Sequence, residues 1–160
     1  MFAKTIGSAL GILALGLALA ISAQKALAWG EEGHRMVGDI ASRYLNAKAK
    51  EQVLALLKYD RLADGEPSNR LSLGGVANWA DEIKDFDWGR RMGSWHFDDV
   101  PLCEEPDYSK YCRNGRCASA QLARQLEILK DDRAPMRRRN EALKWVVHLV
   151  ADIHQPLHAS

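Results

Sequence analysis

Hydrophobic positions along most of this chain recur at intervals of three and four residues, the period of one helix face. Between Glu32 and Leu45, Met36, Val37, Ile40, Ala41 and Tyr44 follow that spacing and predict a helix with those residues as its apolar side. Asn46 suits the N-cap of a second helix, Ala47 to Leu57, striped by Val53, Leu54 and Leu57. Tyr59 to Ser72 is polar, holds Gly65 and Pro67, and reads as a loop. Gly74 to Lys84 predicts a third helix; Ala118 to Lys130 and Arg137 to Ile153 predict two more. Gln155-Pro156 closes the last, because the residue before proline disfavours helical dihedrals. Phe86 to Pro101 is aromatic-rich and irregular, and WHFDDVP within it is too short to make a sheet. No alternating pattern is sustained and no repeat is present, so the expected fold is all-α.

The first 28 residues break the pattern. A positive start at Met1 to Lys4 leads into an almost unbroken apolar run, Ile6 to Ile21. Ala26-Leu27-Ala28 then has the small-x-small form of a signal-peptide cleavage site. The run is short for a membrane span and no basic stop-transfer cluster follows it. The expectation is a removed signal peptide, residues 1–28, a mature chain starting at Trp29, and a secreted or periplasmic protein with no stable membrane association. Cleavage removes Lys4 and Lys25 and no acid, which leaves 20 basic against 21 acidic side chains, a charge of −1. That balance excludes an overall basic field of the kind that holds duplex DNA by charge alone.

An exported chain tolerates disulfides, and this one has Cys103, Cys112 and Cys117. Cys112 and Cys117 flank RNGR, whose Asn114-Gly115 pair favours a tight turn that can bring them together. Cys103 is then left over, either a buried free thiol or half of a bridge to a partner elsewhere.

The chemistry-bearing residues gather late. His148 and Asp152 lie four apart on the last predicted helix and share a face. His158 follows the Pro156 turn, which can direct it to the same cavity, whereas His154 points away from that face. His34 stands in WGEEGH, Asp81 in NWADEIK and His96 in WHFDD. Imidazole and carboxylate without thiolate suit a borderline divalent ion such as zinc. Taken singly, each also suits an ordinary helix surface or a hydrogen-bonded core position.

In order along the chain, W-G-x-x-G-H at Trp29, then W-A-D, W-H-F-x-D and H-x-x-x-D-x-x-Q-P-L-H resemble the S1/P1 nucleases, exported zinc enzymes that cleave single-stranded nucleic acids. The resemblance runs from Trp29 to His158 and implies the mostly helical fold shared by phospholipase C and P1 nuclease, with residues 29–160 as its N-terminal part. It implies three zinc ions. The first takes Asp81, His96, His148 and Asp152. The second takes the α-amine and carbonyl of Trp29, His34 and the shared Asp152. The third takes His158 with a His and an Asp from a later segment. By the same resemblance Cys112 and Cys117 close a local loop, and Cys103 pairs with the C-terminal part. A lone third-site ligand and a lone cysteine both imply that the family's C-terminal region is missing here.

The implied reaction is phosphodiester hydrolysis, with Asp81 as base or orienting group and Lys84, one turn on, facing the developing negative charge. Phe97 would stack on an unpaired base and Asp99 would accept hydrogen bonds from a base edge, which rationalises a single-strand preference. Arg137 to Arg139 are expected mainly as a solvated helix start. Two rival readings remain: a zinc phospholipase C, which the W-G-x-x-G-H and Q-P-L-H motifs disfavour, and an inactive truncated homologue.

Overall fold

The computed structural model describes residues 29–101, 103, 105 and 107–158. The predicted signal peptide, residues 1–28, lies outside the described residues. The longer helices are α1 (Glu31–Tyr44), α2 (Ala47–Leu57), α7 (Ala118–Lys130) and α8 (Met136–Asp152). Shorter ones are α3 (Leu73–Val76), α4 (Trp79–Glu82), α5 (Asp87–Arg90) and α6 (Tyr108–Tyr111). Among the described residues the only β pairing is an isolated bridge, Arg61 to Pro67, inside the polar loop after α2. The all-α expectation therefore holds. No helix among the described residues is long and apolar enough to cross a membrane.

Asn46 caps α2 as expected, its side chain accepting from the Ala49 N–H at 2.8 Å. Helix α8 is the axis of the molecule. It buries Leu143 and Val147 towards Leu56, Leu57, Leu73 and Val76, and Trp145 and Leu149 towards Trp79, Ala80, Ile83 and Ala118. Being buried on most sides, it can present polar groups to the interior only where partners meet them.

Three expectations need correction. Met36, Ile40 and Tyr44 are not the core face of α1; they are exposed, and His34 and Gly38 are the buried positions. Leu54 is likewise exposed on α2, where Leu56 and Leu57 are buried. The third helix is not continuous from Gly74 to Lys84: it is α3, then α4, then a 3₁₀ turn over Ile83–Asp85.

Gly38 explains the first correction. A Cβ there would come within 2.7 Å of the backbone at Leu73 and Gly74, so α1 and α3 cross backbone to backbone. A helix that packs through a glycine must turn its large apolar side chains elsewhere. This crossing carries the start of α1, and with it His34, onto α3, α4 and α8.

Candidate metal centre

His148 is the best-fixed member of the site. Its Nδ1–H donates to the Ala77 carbonyl at 2.8 Å, which leaves Nε2 with its lone pair turned inward. The break between α3 and α4 makes that possible. In a continuous helix the Ala77 carbonyl would accept from Asp81, but the Asp81 N–H bonds to Asn78 O instead, at 2.9 Å. The ring of His34 stacks on that of His148, centroids 3.8 Å apart and planes 14° from parallel.

Around His148 Nε2 the other donors converge. His96 Nδ1 is 2.9 Å away and Asp152 Oδ2 3.1 Å. His96 Nδ1 is also 3.1 Å from Asp152 Oδ2. Asp81 Oδ1 stands 3.7 Å from both imidazole nitrogens. On the near side, His34 Nε2 lies 3.6 Å from Asp81 Oδ2 and 3.6 Å from Asp152 Oδ1. Asp152 thus turns one oxygen to His96 and His148 and the other to His34, and His158 Nδ1 lies 3.1 Å from that second oxygen.

The 3₁₀ turn Pro156–His158 returns the chain to the site. His158 Nδ1–H donates to the His96 carbonyl at 3.1 Å, and its Nε2 is buried with no partner. His154 is exposed and bonds its own helix at Val150 O, as its spacing predicts. Lys84 Nζ reaches Asp81 Oδ1 at 2.5 Å. Trp29 lays its indole over Gly33, where a Cβ would come within 2.8 Å of the ring.

Burial and the neighbouring His148 hold His34 at about 4, well below the usual imidazole value, despite the opposing pull of Asp152 and Asp81. Burial also lowers His96, although its bond to Asp152 opposes that. Burial disfavours the charged form of Asp152, but bonds from His148 and His96 outweigh it and keep the carboxyl well below its usual range. In Asp81 the effect of burial is likewise overcome, by His148 and the bond from Lys84. Neutral imidazoles beside ionised carboxylates are the protonation states that metal ligands require.

Among the described residues two groups have donor atoms all within 4.8 Å of one another: His96, His148 and Asp152, and His34, Asp81 and His148. Nitrogen and carboxylate donors, buried, desolvated and in part unpartnered, fit a divalent cation. The structure thus brings Asp81, His96, His148 and Asp152 to one point, with His34 and His158 at its edges.

The remaining candidates lie further out. Phe97 is half-buried, its ring 4.5 Å from that of His158, and Asp99 is exposed. Cys112 and Cys117 form a disulfide across a turn in which Asn114 and Gly115 both have positive φ, 57° and 67°. Cys103 is a free, exposed thiol, not a buried one. Arg137 and Arg138 are exposed at the start of α8, while Arg139 donates to the Leu129 carbonyl at 3.1 Å. The hydrophobic pattern gave no sign of one buried polar group, Lys144 with Asp60, which lies outside the site.

A sequence profile described as S1/P1 Nuclease matches residues 29–160. Nuclease S1 of Aspergillus oryzae (strain ATCC 42149 / RIB 40) is 31% identical over 151 residues, covering 92% of this chain and 50% of its own length. Nuclease P1 of Penicillium citrinum is 29% identical over 134 residues, 81% of this chain and 47% of its own. Endonuclease 3 of Arabidopsis thaliana is 34% identical over 140 residues, 83% of this chain and 45% of its own. The chain spans about half the length of the curated relatives it matches. With the profile matched from Trp29 to Ser160, and these relatives aligned over most of that span, the chain belongs to the S1/P1 nuclease family.

Proposed function

We propose that this is an exported, zinc-dependent endonuclease that hydrolyses phosphodiester bonds of single-stranded DNA and RNA. The observation that carries the reading is the meeting of three donor atoms, Asp81 Oδ1, His96 Nδ1 and Asp152 Oδ2, within 3.7 Å of a fourth, His148 Nε2. Zinc at such a point supplies Lewis acidity and activates water for phosphodiester hydrolysis. A second ion would be held by Asp152 and His34, with the α-amine that cleavage before Trp29 would free. A third would be held by the unpartnered Nε2 of His158, together with the further ligands the family resemblance implies.

The side chains divide the work. Asp81, at the edge of the donors and partly open to solvent, orients the attacking water or takes its proton. Lys84, paired to Asp81 and about two-fifths exposed, turns its ammonium to the phosphate oxygens as negative charge develops there. Phe97 supplies a face for an unpaired base, and Asp99 an acceptor for its edge.

The test is hydrolysis of single-stranded DNA and RNA, with phosphatidylcholine as the competing substrate. Nucleic-acid cleavage silenced by a chelator and restored by zinc is expected. Asp81→Asn should abolish turnover while helical circular dichroism is retained. Cleavage of the phospholipid alone would move the assignment to a phospholipase C, and near-normal turnover in Asp81→Asn would reject the role given to that carboxylate.

A further inference from the structure

A chain of charges lies behind the metal centre and shares no residue with it. Lys144 is 1% exposed. Its Nζ lies 2.9 Å from Asp60 Oδ1, 2.9 Å from the Arg61 carbonyl and 3.8 Å from the centre of the Trp79 ring. The other oxygen of Asp60 accepts from Arg70 Nε at 3.2 Å and from the Ser68 hydroxyl. Arg70 Nη1 then bonds both oxygens of Glu82, at 2.9 and 3.0 Å. Two cations and two anions balance.

The placement of the ends gives this chain its meaning. Lys144 is one helical turn before His148 on α8, and Glu82 is the residue after Asp81 on α4. Helix α4 is four residues long, too short to hold itself. It is gripped at both ends, with Trp79 lying on the Lys144 ammonium and Glu82 clamped by Arg70. A buried ion pair adds little stability over apolar side chains of the same volume. Helix α8 carries Leu143 and Trp145 on either side of Lys144, and an apolar residue would suit that position. Charged partners differ from apolar ones in fixing direction and register.

We infer that Lys144, Asp60, Arg70 and Glu82 are positioning residues, which set α4 against α8 so that Asp81 Oδ1 meets His96 Nδ1 and His148 Nε2. This rests on the metal-centre reading above. The charges act through α4 and touch neither metal nor substrate. Replacing them disturbs the metal geometry even where the fold survives.

Cobalt(II) titration of the full chain, read by visible absorption, tests this without relying on turnover. The variants are Glu82→Gln, at a half-exposed position where folding is least at risk, and the doubly neutralised Lys144→Met with Asp60→Asn. Both should bind cobalt about tenfold more weakly, as loss of outer-sphere support does elsewhere, with altered band shape. Glu127→Gln, which removes the exposed partner of Lys130 on α7, should match the unsubstituted chain in affinity and spectrum. Unchanged affinity and spectrum in Glu82→Gln, with cobalt bound by the unsubstituted chain, overturn the positioning role alone. No cobalt binding by the unsubstituted chain rejects the metal reading and the positioning role with it.

Discussion

Two histidines of the centre are each held by a bond at one ring nitrogen that leaves the other free. His148 gives its Nδ1 proton to Ala77 and keeps Nε2 for the centre, and His158 does the same through His96 O. Phe97 is fixed differently, by its backbone carbonyl accepting from Ala118 at 3.0 Å, so its ring is positioned without being sealed in the core. Phe97→Ala should therefore weaken binding of a single-stranded oligonucleotide by about 1–3 kcal/mol in a fluorescence-anisotropy titration, with little change in melting temperature. Unchanged affinity would make the ring a packing residue only. The site residues were legible in the sequence because motifs in a fixed order announced them. Lys144 was not legible, because a lysine within a helical stripe reads as surface. Only the fold reveals that Asp60, eighty-four residues earlier, comes to meet it.

At the scale of elements, the long helices were readable and their junctions were not. The bounds of α2 and α7 match the spacing of their apolar residues, and α1 and α8 differ from expectation by one residue at each end. The apolar spacing points to the wrong face of α1 because its buried positions are a histidine and a glycine, neither of which raises a hydrophobic signal. The break between α3 and α4 leaves no mark in the apolar pattern, which continues across it; what favours the break is tertiary, the Ala77 carbonyl taken by His148. The crossing of α1 and α3 leads to a direct expectation. Gly38→Ala forces a methyl group against backbone at 2.7 Å and should destabilise the fold by about 1–3 kcal/mol in urea titration. It should also weaken zinc binding, since α1 carries His34. A neutral effect on both would show that the two helices separate at no cost.

For the whole molecule, the fold brings the start of α1 and the last described turn to one place. His34 is five residues after Trp29, and His158 closes on Asp152 from the other end. A peptide nitrogen has no lone pair to give a metal, whereas a free α-amine does. Zinc content after dialysis should therefore rise from one tightly held ion in the chain beginning at Met1 to two in the chain beginning at Trp29. Equal content in the two forms would remove the Trp29 amine from the ligand set.

The central claim is that Asp81, His96, His148 and Asp152 share one zinc ion. Anomalous diffraction at the zinc edge, from crystals of the chain beginning at Trp29 grown with zinc, addresses it most directly. A peak is predicted about 2.0–2.2 Å from Asp81 Oδ1, His96 Nδ1, His148 Nε2 and Asp152 Oδ2. Zinc bound elsewhere on the molecule, with no peak between those four atoms, would contradict the account.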